Sequence, residues 1–356
     1  MLPITSRRSR TRLAKTQPSS LTGRQAAGLR SHPYAVAGAV TIGALAVSAL
    51  VNRHFANKAE RQNPPAGQFI EVGGVRLHYI ERGEGEPLVL LHGNGSMIQD
   101  FETSGIIDMA AESYRVIVFD RPGFGHSDRP RSTIWTADAQ ADLLHEALRR
   151  IGVTRAIVLG HSWGASVAVA LAKKHAPMVK ALVLASGYYY PTVRADVVAL
   201  SGPAIPILGD VVRYTLSPLL GRVMWPLLMR KMFGPAAVPD KFGAFPSEMT
   251  MRPSQIRASA AESALMIPGA FAARESYGDL KMPVVIIAGQ DDRLIDIDDQ
   301  SAQLHRDVTQ STFHPVGGAG HMVHQTATKR VMAAIDEAAA HGGDMRSDGR
   351  VRPIAA

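Results

Sequence analysis

The sequence predicts an α/β protein: a mostly parallel, eight-stranded sheet with helices on both faces. Three observations predict it. Residues 87–91, 115–119, 157–159, 180–185 and 283–288 are short apolar runs, the mark of strands buried on both faces. Helical patterns alternate with these runs, which calls for crossover connections and hence a parallel sheet. Glycine-rich turns stand at the C-terminal ends of several runs, where the reacting groups of such sheets collect.

Composition bounds the rest. The chain has 356 residues, 46% of them hydrophobic, enough for one large domain with an insertion or for two smaller domains. It has no cysteine, so disulfides, thiolate chemistry and cysteine-based zinc sites are excluded. The net charge of +8 is local: residues 1–61 hold ten Lys and Arg against the single acid Glu60. The remainder carries 29 bases and 30 acids, so the folded part is near neutral and nucleic acid is not expected as a partner.

Residues 1–33 read as a disordered basic leader, being rich in Arg, Ser, Thr and Gly. Residues 34–51 are an uncharged run of 18 residues, about 27 Å as a helix and enough for a bilayer core. A cleaved signal segment is the rival reading. The long leader and the missing A-x-A site favour an uncleaved transmembrane anchor. Seven bases before the run against three after it place the catalytic domain on the non-cytoplasmic side. Residues 52–66 are expected to be a linker, ending in Asn63-Pro64-Pro65-Ala66.

The core is expected over 67–187 and 280–340. It opens with a hairpin, 69–72 and 75–81 around Gly73-Gly74. The 87–91 strand ends in His92-Gly93-Asn94-Gly95-Ser96, and the 115–119 strand in Asp120-Arg121-Pro122-Gly123-Phe124-Gly125-His126-Ser127. A helix over 136–151 presents Leu144, Leu148 and Ile151 on one face. From 188 to 279 the chain turns rich in Pro and Met and loses its strand signal, so a helical cap inserted between the sixth and seventh strands is expected. The 283–288 strand closes on Gly289-Gln290-Asp291-Asp292. A last strand over 312–316 leads to Gly317-Gly318-Ala319-Gly320-His321, and a helix over 326–340 ends the fold. Residues 341–356 read as a disordered tail. No internal repeat is visible.

The chemistry centres on Gly160-His161-Ser162-Trp163-Gly164, with a strand before it and a small-residue helix after it. That context is the nucleophile elbow, which exposes a serine on a sharp turn at a helix N-terminus. A serine hydroxyl needs a base to take its proton, and the base needs a carboxylate to fix its tautomer. His321 and Asp292 lie at the ends of later strands and complete the set, with Asp291 and His324 as substitutes. The other acid position, after the 180–185 strand, holds Ser186, which cannot serve. The backbone N–H groups of Trp163 and Asn94 are the expected oxyanion donors. His92 and His126 are expected to be structural.

Four motifs in order, H-G-N-G at His92, D-R-P-G-F-G-H-S at Asp120, G-H-S-W-G at Gly160, and G-Q-D-D with G-H at Asp292 and His321, resemble the α/β-hydrolase fold superfamily across roughly residues 66–340. The resemblance implies that residues 188–279 form the family's cap, which shapes an acyl pocket. H-G-N with a Trp after the nucleophile also resembles haloalkane dehalogenases, whose nucleophile is an aspartate; here the position is Ser162. Ester hydrolysis through an acyl-enzyme is therefore expected, with an apolar ester as substrate and no cofactor or metal. Carbon–carbon bond hydrolysis, a perhydrolase or proline-iminopeptidase-like activity, and a non-catalytic binding module are the alternatives. Tyr188, Met224, Trp225 and Met229 are the candidate pocket residues. The stretch 224–233 reads either as a pocket wall or as cap core, and next to an anchor it could also touch lipid.

Overall fold

The computed structural model describes residues 33–193, 197 and 200–344. The expected leader (but for Pro33) and the tail beyond Asp344 lie outside the described residues. The chain divides at Ala46 and Val47 into two units. The described part of the first is the apolar start of helix α1 (Pro33–Gln62), which contains an 18-residue window of mean hydropathy 2.0, none of it buried. By length and composition α1 can cross a membrane.

The expected linker begins too early. The helix runs through Val51 to Gln62 and stops where Pro64-Pro65 follows, because no Gly or Pro interrupts residues 52–62. In the second unit this half of α1 is packed. Asn52 and Ala59 are buried, and Ala59 joins a cluster with Met97, Met229, Phe233, Phe242 and Met322.

Eight strands form one sheet: β1 (Gln68–Val72), β2 (Val75–Arg82), β3 (Glu86–Leu91), β4 (Tyr114–Phe119), β5 (Ala156–His161), β6 (Val179–Ala185), β7 (Val284–Gly289) and β8 (Ser311–Val316). Their order is β1-β2-β4-β3-β5-β6-β7-β8, parallel from β4 to β8 with the β1–β2 hairpin antiparallel at one edge. The apolar runs are continuous because both faces are covered. In β3, Val89 and Leu91 face a core shared with α4 (Ala137–Arg150) and α5 (Trp163–Lys174). Leu88 and Leu90 face the other core, shared with α2 (Ile98–Ser104), α3 (Ile106–Ala111) and α9 (Thr328–Asp344). The last helix thus outruns the expected end at 340.

Between β6 and β7 lies the cap. Its long helices are α6 (Leu208–Thr215), α7 (Ser217–Phe233) and α8 (Pro253–Ala273). Register then positions the site. Leu91 pairs with Gly160, so the His92 loop and the elbow leave the sheet side by side. Gly289 pairs with Val316, which does the same for the Asp292 and His321 loops.

Candidate active site

Ser162 sits between β5 and α5 with φ 54 and ψ −122, a backbone conformation that side chains rarely adopt. Its N–H donates to the Ala185 carbonyl (2.9 Å), which ties the turn to β6. The elbow glycines are required by close approach. A Cβ on Gly160 would meet the Gly164 carbonyl oxygen at 2.4 Å, and one on Gly164 would meet the Leu91 carbonyl oxygen at 2.1 Å. Trp163 is the first residue of α5, so its N–H has no acceptor within the helix.

His321 lies buried beside this turn. Its Nδ1 is 2.7 Å from Oδ2 of Asp292. Oδ1 of Asp292 accepts the N–H groups of Leu294 (2.8 Å) and Ile295 (3.1 Å), so the carboxylate is held on both oxygens. The substitutes do other work. Asp291 accepts the Gly318 N–H at 2.8 Å, bracing the loop that carries His321. His324 pairs through Nε2 with Asp100 at 3.0 Å. No hydrogen bond joins Ser162 to His321 among the described residues, but both line one cavity of about 350 Å³. Serine–base contacts of this kind commonly tighten only when substrate is bound.

That cavity is mostly apolar. Trp225, Met229 and Met232 of α7, with Phe242, Phe245 and Met266, form much of its wall. Two of the four candidate pocket residues, Trp225 and Met229, line it. Met224 does not: one residue along the helix from Trp225, it turns outward and is half exposed. Tyr188 is buried against Ala270 and Ile295 and lines a second cavity of about 260 Å³ with Trp163 and Ser166. Met266 borders both.

Asn94 also lines the cavity that Ser162 and His321 share. Its side-chain amide donates to the Ser259 carbonyl (3.2 Å) and to Ser263 Oγ (3.1 Å) on α8. The loop is set by residues that sequence reasoning did not assign. Arg121, wholly buried, donates from Nε to the His92 carbonyl (2.7 Å) and from Nη2 to the Gly93 carbonyl (2.9 Å). The same guanidinium grips Glu262 of the cap through both carboxylate oxygens, at 2.5 and 3.0 Å. Asp120, next in the motif, accepts from the Ile98 and His126 N–H groups and faces His78 Nδ1 at 2.7 Å. Burial pushes the Asp120 carboxyl up, and the His78 hydrogen bond and charge outweigh it, so its pKa lies below the usual range. The signal was the D-R-P-G-F-G-H-S run itself; the cap partner is 141 residues away and invisible in it.

His92 and His126 each hold backbone groups. Nδ1 of His92 donates to the Gly93 carbonyl (2.8 Å) and its Nε2 accepts the Arg121 N–H (3.0 Å), which fixes a neutral tautomer. Burial, then the Arg121 charge, push its pKa down to about 3. His126 holds the Asn63 carbonyl at 2.9 Å. His161, inside the elbow, donates from Nε2 to the carbonyl of His321 (3.0 Å), and its ring lies 4.3 Å from that of His324, tilted by 57°. Burial, then its two histidine neighbours, hold its pKa well below the ordinary value.

A serine on a strained elbow, a buried Asp–His pair on adjoining strands and a capped apolar cavity define an α/β-hydrolase. The family model for the alpha/beta hydrolase fold matches residues 86–328, and the chain belongs to that family. Among curated proteins, it is 28% identical over 153 residues to haloalkane dehalogenase 2 of Mycobacterium tuberculosis, covering 43% of this chain and 52% of the relative. It is 32% identical over 136 residues to 2-hydroxymuconate semialdehyde hydrolase of Pseudomonas sp. strain CF600, covering 37% of this chain and 48% of the relative. The chain thus spans about half the length of these relatives. Among solved structures it is similar to an esterase from Thermogutta terrifontis, with 23% identity, TM-score 0.60, and 78% and 99% of the two chains covered. It is also similar to a membrane phospholipase A, with 20% identity, TM-score 0.59, and 86% and 97% covered.

Proposed function

We propose that this hydrolase is a serine esterase that cleaves carboxylic esters of apolar acids through an acyl-enzyme, anchored by α1 with its catalytic domain on the non-cytoplasmic side. The observation that carries the reading is the meeting of Ser162 and the Asp292-paired His321 in one cavity walled by methionine and aromatic side chains. Ser162 Oγ attacks the ester carbonyl while His321 Nε2 takes its proton. The Trp163 and Asn94 N–H groups receive the oxyanion. His321 then protonates the departing alcohol, and water, deprotonated by the same nitrogen, releases the acid. Asp292 holds the imidazole in the productive tautomer and stabilises its charged form. None of these steps needs a cofactor or a metal.

The apolar wall favours medium over very short acyl chains, since each buried methylene contributes about 0.8 kcal/mol. A series of p-nitrophenyl esters of increasing chain length, with aminoacyl amides and a vinylogous 1,5-diketone as controls, tests the reading. Rising kcat/KM with chain length supports it. Turnover confined to the diketone or the amides gives the protein instead to carbon–carbon or peptide bond hydrolysis. A serine that no fluorophosphonate labels makes it a binding module.

A further inference from the structure

The cap helix α7 is apolar on two opposite sides. Trp225, Met229 and Met232 turn into the catalytic cavity. At the complementary helical positions, Leu220, Val223, Met224 and Leu227 are exposed, Val223 at 76%. A helix that is apolar all round is normally buried in protein or in lipid. Across residues 205–228, all of them described, every exposed position is apolar but for the Tyr214 hydroxyl, with Ile207 at 81%. The charges in this segment are turned aside and paired. Asp210 holds Arg131 and Arg213, and Arg222 holds Glu248. Patches of this extent mark an interaction site.

What covers the face is indicated by what is pinned to it. The end of the apolar part of α1 is fastened at the α6–α7 joint. Ser48 Oγ and Asn52 Nδ2 each donate to the Thr215 carbonyl at 2.8 Å, and Arg222 Nη1 donates to Asn52 Oδ1 at 3.0 Å. Val47, Leu50 and Val51, one turn away, are themselves exposed. The cavity also reaches this face. Leu228 and Leu200 line it and are exposed at 41% and 61%.

We infer that the outward face of α6 and α7 lies on a lipid bilayer, and that ester substrates enter the Ser162 cavity from the lipid at Leu200 and Leu228. The inference rests on the anchored-esterase reading for its substrate and its membrane, so the test separates the two. The chain lacks cysteine, so single cysteines at Val40, Ile207, Val223 and the exposed control Glu112 can each carry an environment-sensitive fluorophore. The full-length variants are reconstituted in phosphatidylcholine vesicles with or without brominated acyl chains. Quenching at positions 40, 207 and 223 but not 112 is the expected result. Quenching at 40 alone keeps the anchor and overturns the cap contact. Quenching at none overturns both. Shielding at 207 and 223 that brominated lipid does not quench and that grows with protein concentration assigns the face to a second copy and overturns the proposal. Activity gives the second readout: Leu220→Glu and Val223→Glu should lower turnover of a vesicle-borne dodecanoyl ester roughly tenfold while p-nitrophenyl acetate turnover stays within about twofold. Equal losses on both substrates overturn entry from the lipid.

Discussion

Oδ2 of Asp292 stands 2.7 Å from Nδ1 of His321, while the neighbouring Asp291 turns away to brace the Gly318 N–H. Two adjacent carboxylates thus have separate tasks, and their variants should differ. Asp292→Asn should cut kcat by roughly three to four orders of magnitude, because the amide favours the wrong tautomer. Asp291→Asn should cost less than about tenfold, through a looser loop. His321→Ala should be as damaging as Ser162→Ala, since members of a triad act as a unit. Steady-state kinetics on one ester decides it; a crippled Asp291→Asn beside a mild Asp292→Asn reverses the assignment.

Arg121 and Glu262 link the His92 loop to the cap through a fully buried pair. Removing one charge strands the other, so Glu262→Gln should cost about 3–5 kcal/mol of stability in chemical denaturation. The double variant Arg121→Met with Glu262→Leu should recover most of that stability. It should not recover turnover, because Arg121 also holds the His92 and Gly93 carbonyls. Full activity in the double variant would show that the loop is set by other contacts.

The packing of α1 sets where its apolar segment can be cut away. Removal of residues 1–46 should leave a folded, active enzyme that alkaline carbonate strips from membranes without detergent. Removal of 1–61 should not, since it strips Ala59 from the cap cluster and leaves Arg252 without Glu60, its partner at 2.8 Å. Melting temperature and fractionation of the two truncations check this; equal stability would make residues 47–61 dispensable.

Trp225 lies on the cavity wall with its ring parallel to that of Phe245. Trp225→Ala should flatten the chain-length profile, by up to about fourfold per methylene no longer held, while acetate ester turnover changes little. Equal losses on short and long esters would make Trp225 structural.

Stability should fall in mild acid. His92 is held neutral with a pKa of about 3, below the ordinary 6.5, and His161 is lowered too. The unfolded chain therefore binds more protons in this window. The stabilisation is complete above about pH 6.5 and is lost as pH falls toward 3, at about 1.4 kcal/mol per pH unit for each such group. At lower pH Asp120, also depressed, adds to the loss. Melting temperatures from pH 8 to 4 test the slope, and His92→Asn should melt lower at pH 8 with a shallower decline. A pH-independent melting temperature would contradict the burial of these groups.

The sheet and the elbow were legible in the sequence because local signals specify them: apolar runs for doubly covered strands, and glycines where Cβ atoms cannot fit. The pairing of Asp292 with His321 was legible from their places at strand ends. Met224 was misread because α7 is apolar on two opposite sides, so sequence alone does not say which side faces the cavity. Tyr188 was misread because it opens the cap insertion but packs toward a different cavity. The 52–62 helix was hidden by its charges, one of which, Glu60, pairs with Arg252 of the cap. The motif marked Arg121, but its pairing with Glu262 was not legible, since nothing local marks a partner so far away in the chain.

The central claim, that Ser162 becomes acylated, is tested most directly by mass spectrometry of the full-length protein quenched in acid during turnover of a p-nitrophenyl ester. The account predicts one acyl adduct, on the peptide carrying Ser162, that disappears in Ser162→Ala. An adduct on another residue, or undiminished ester turnover by Ser162→Ala, would contradict it.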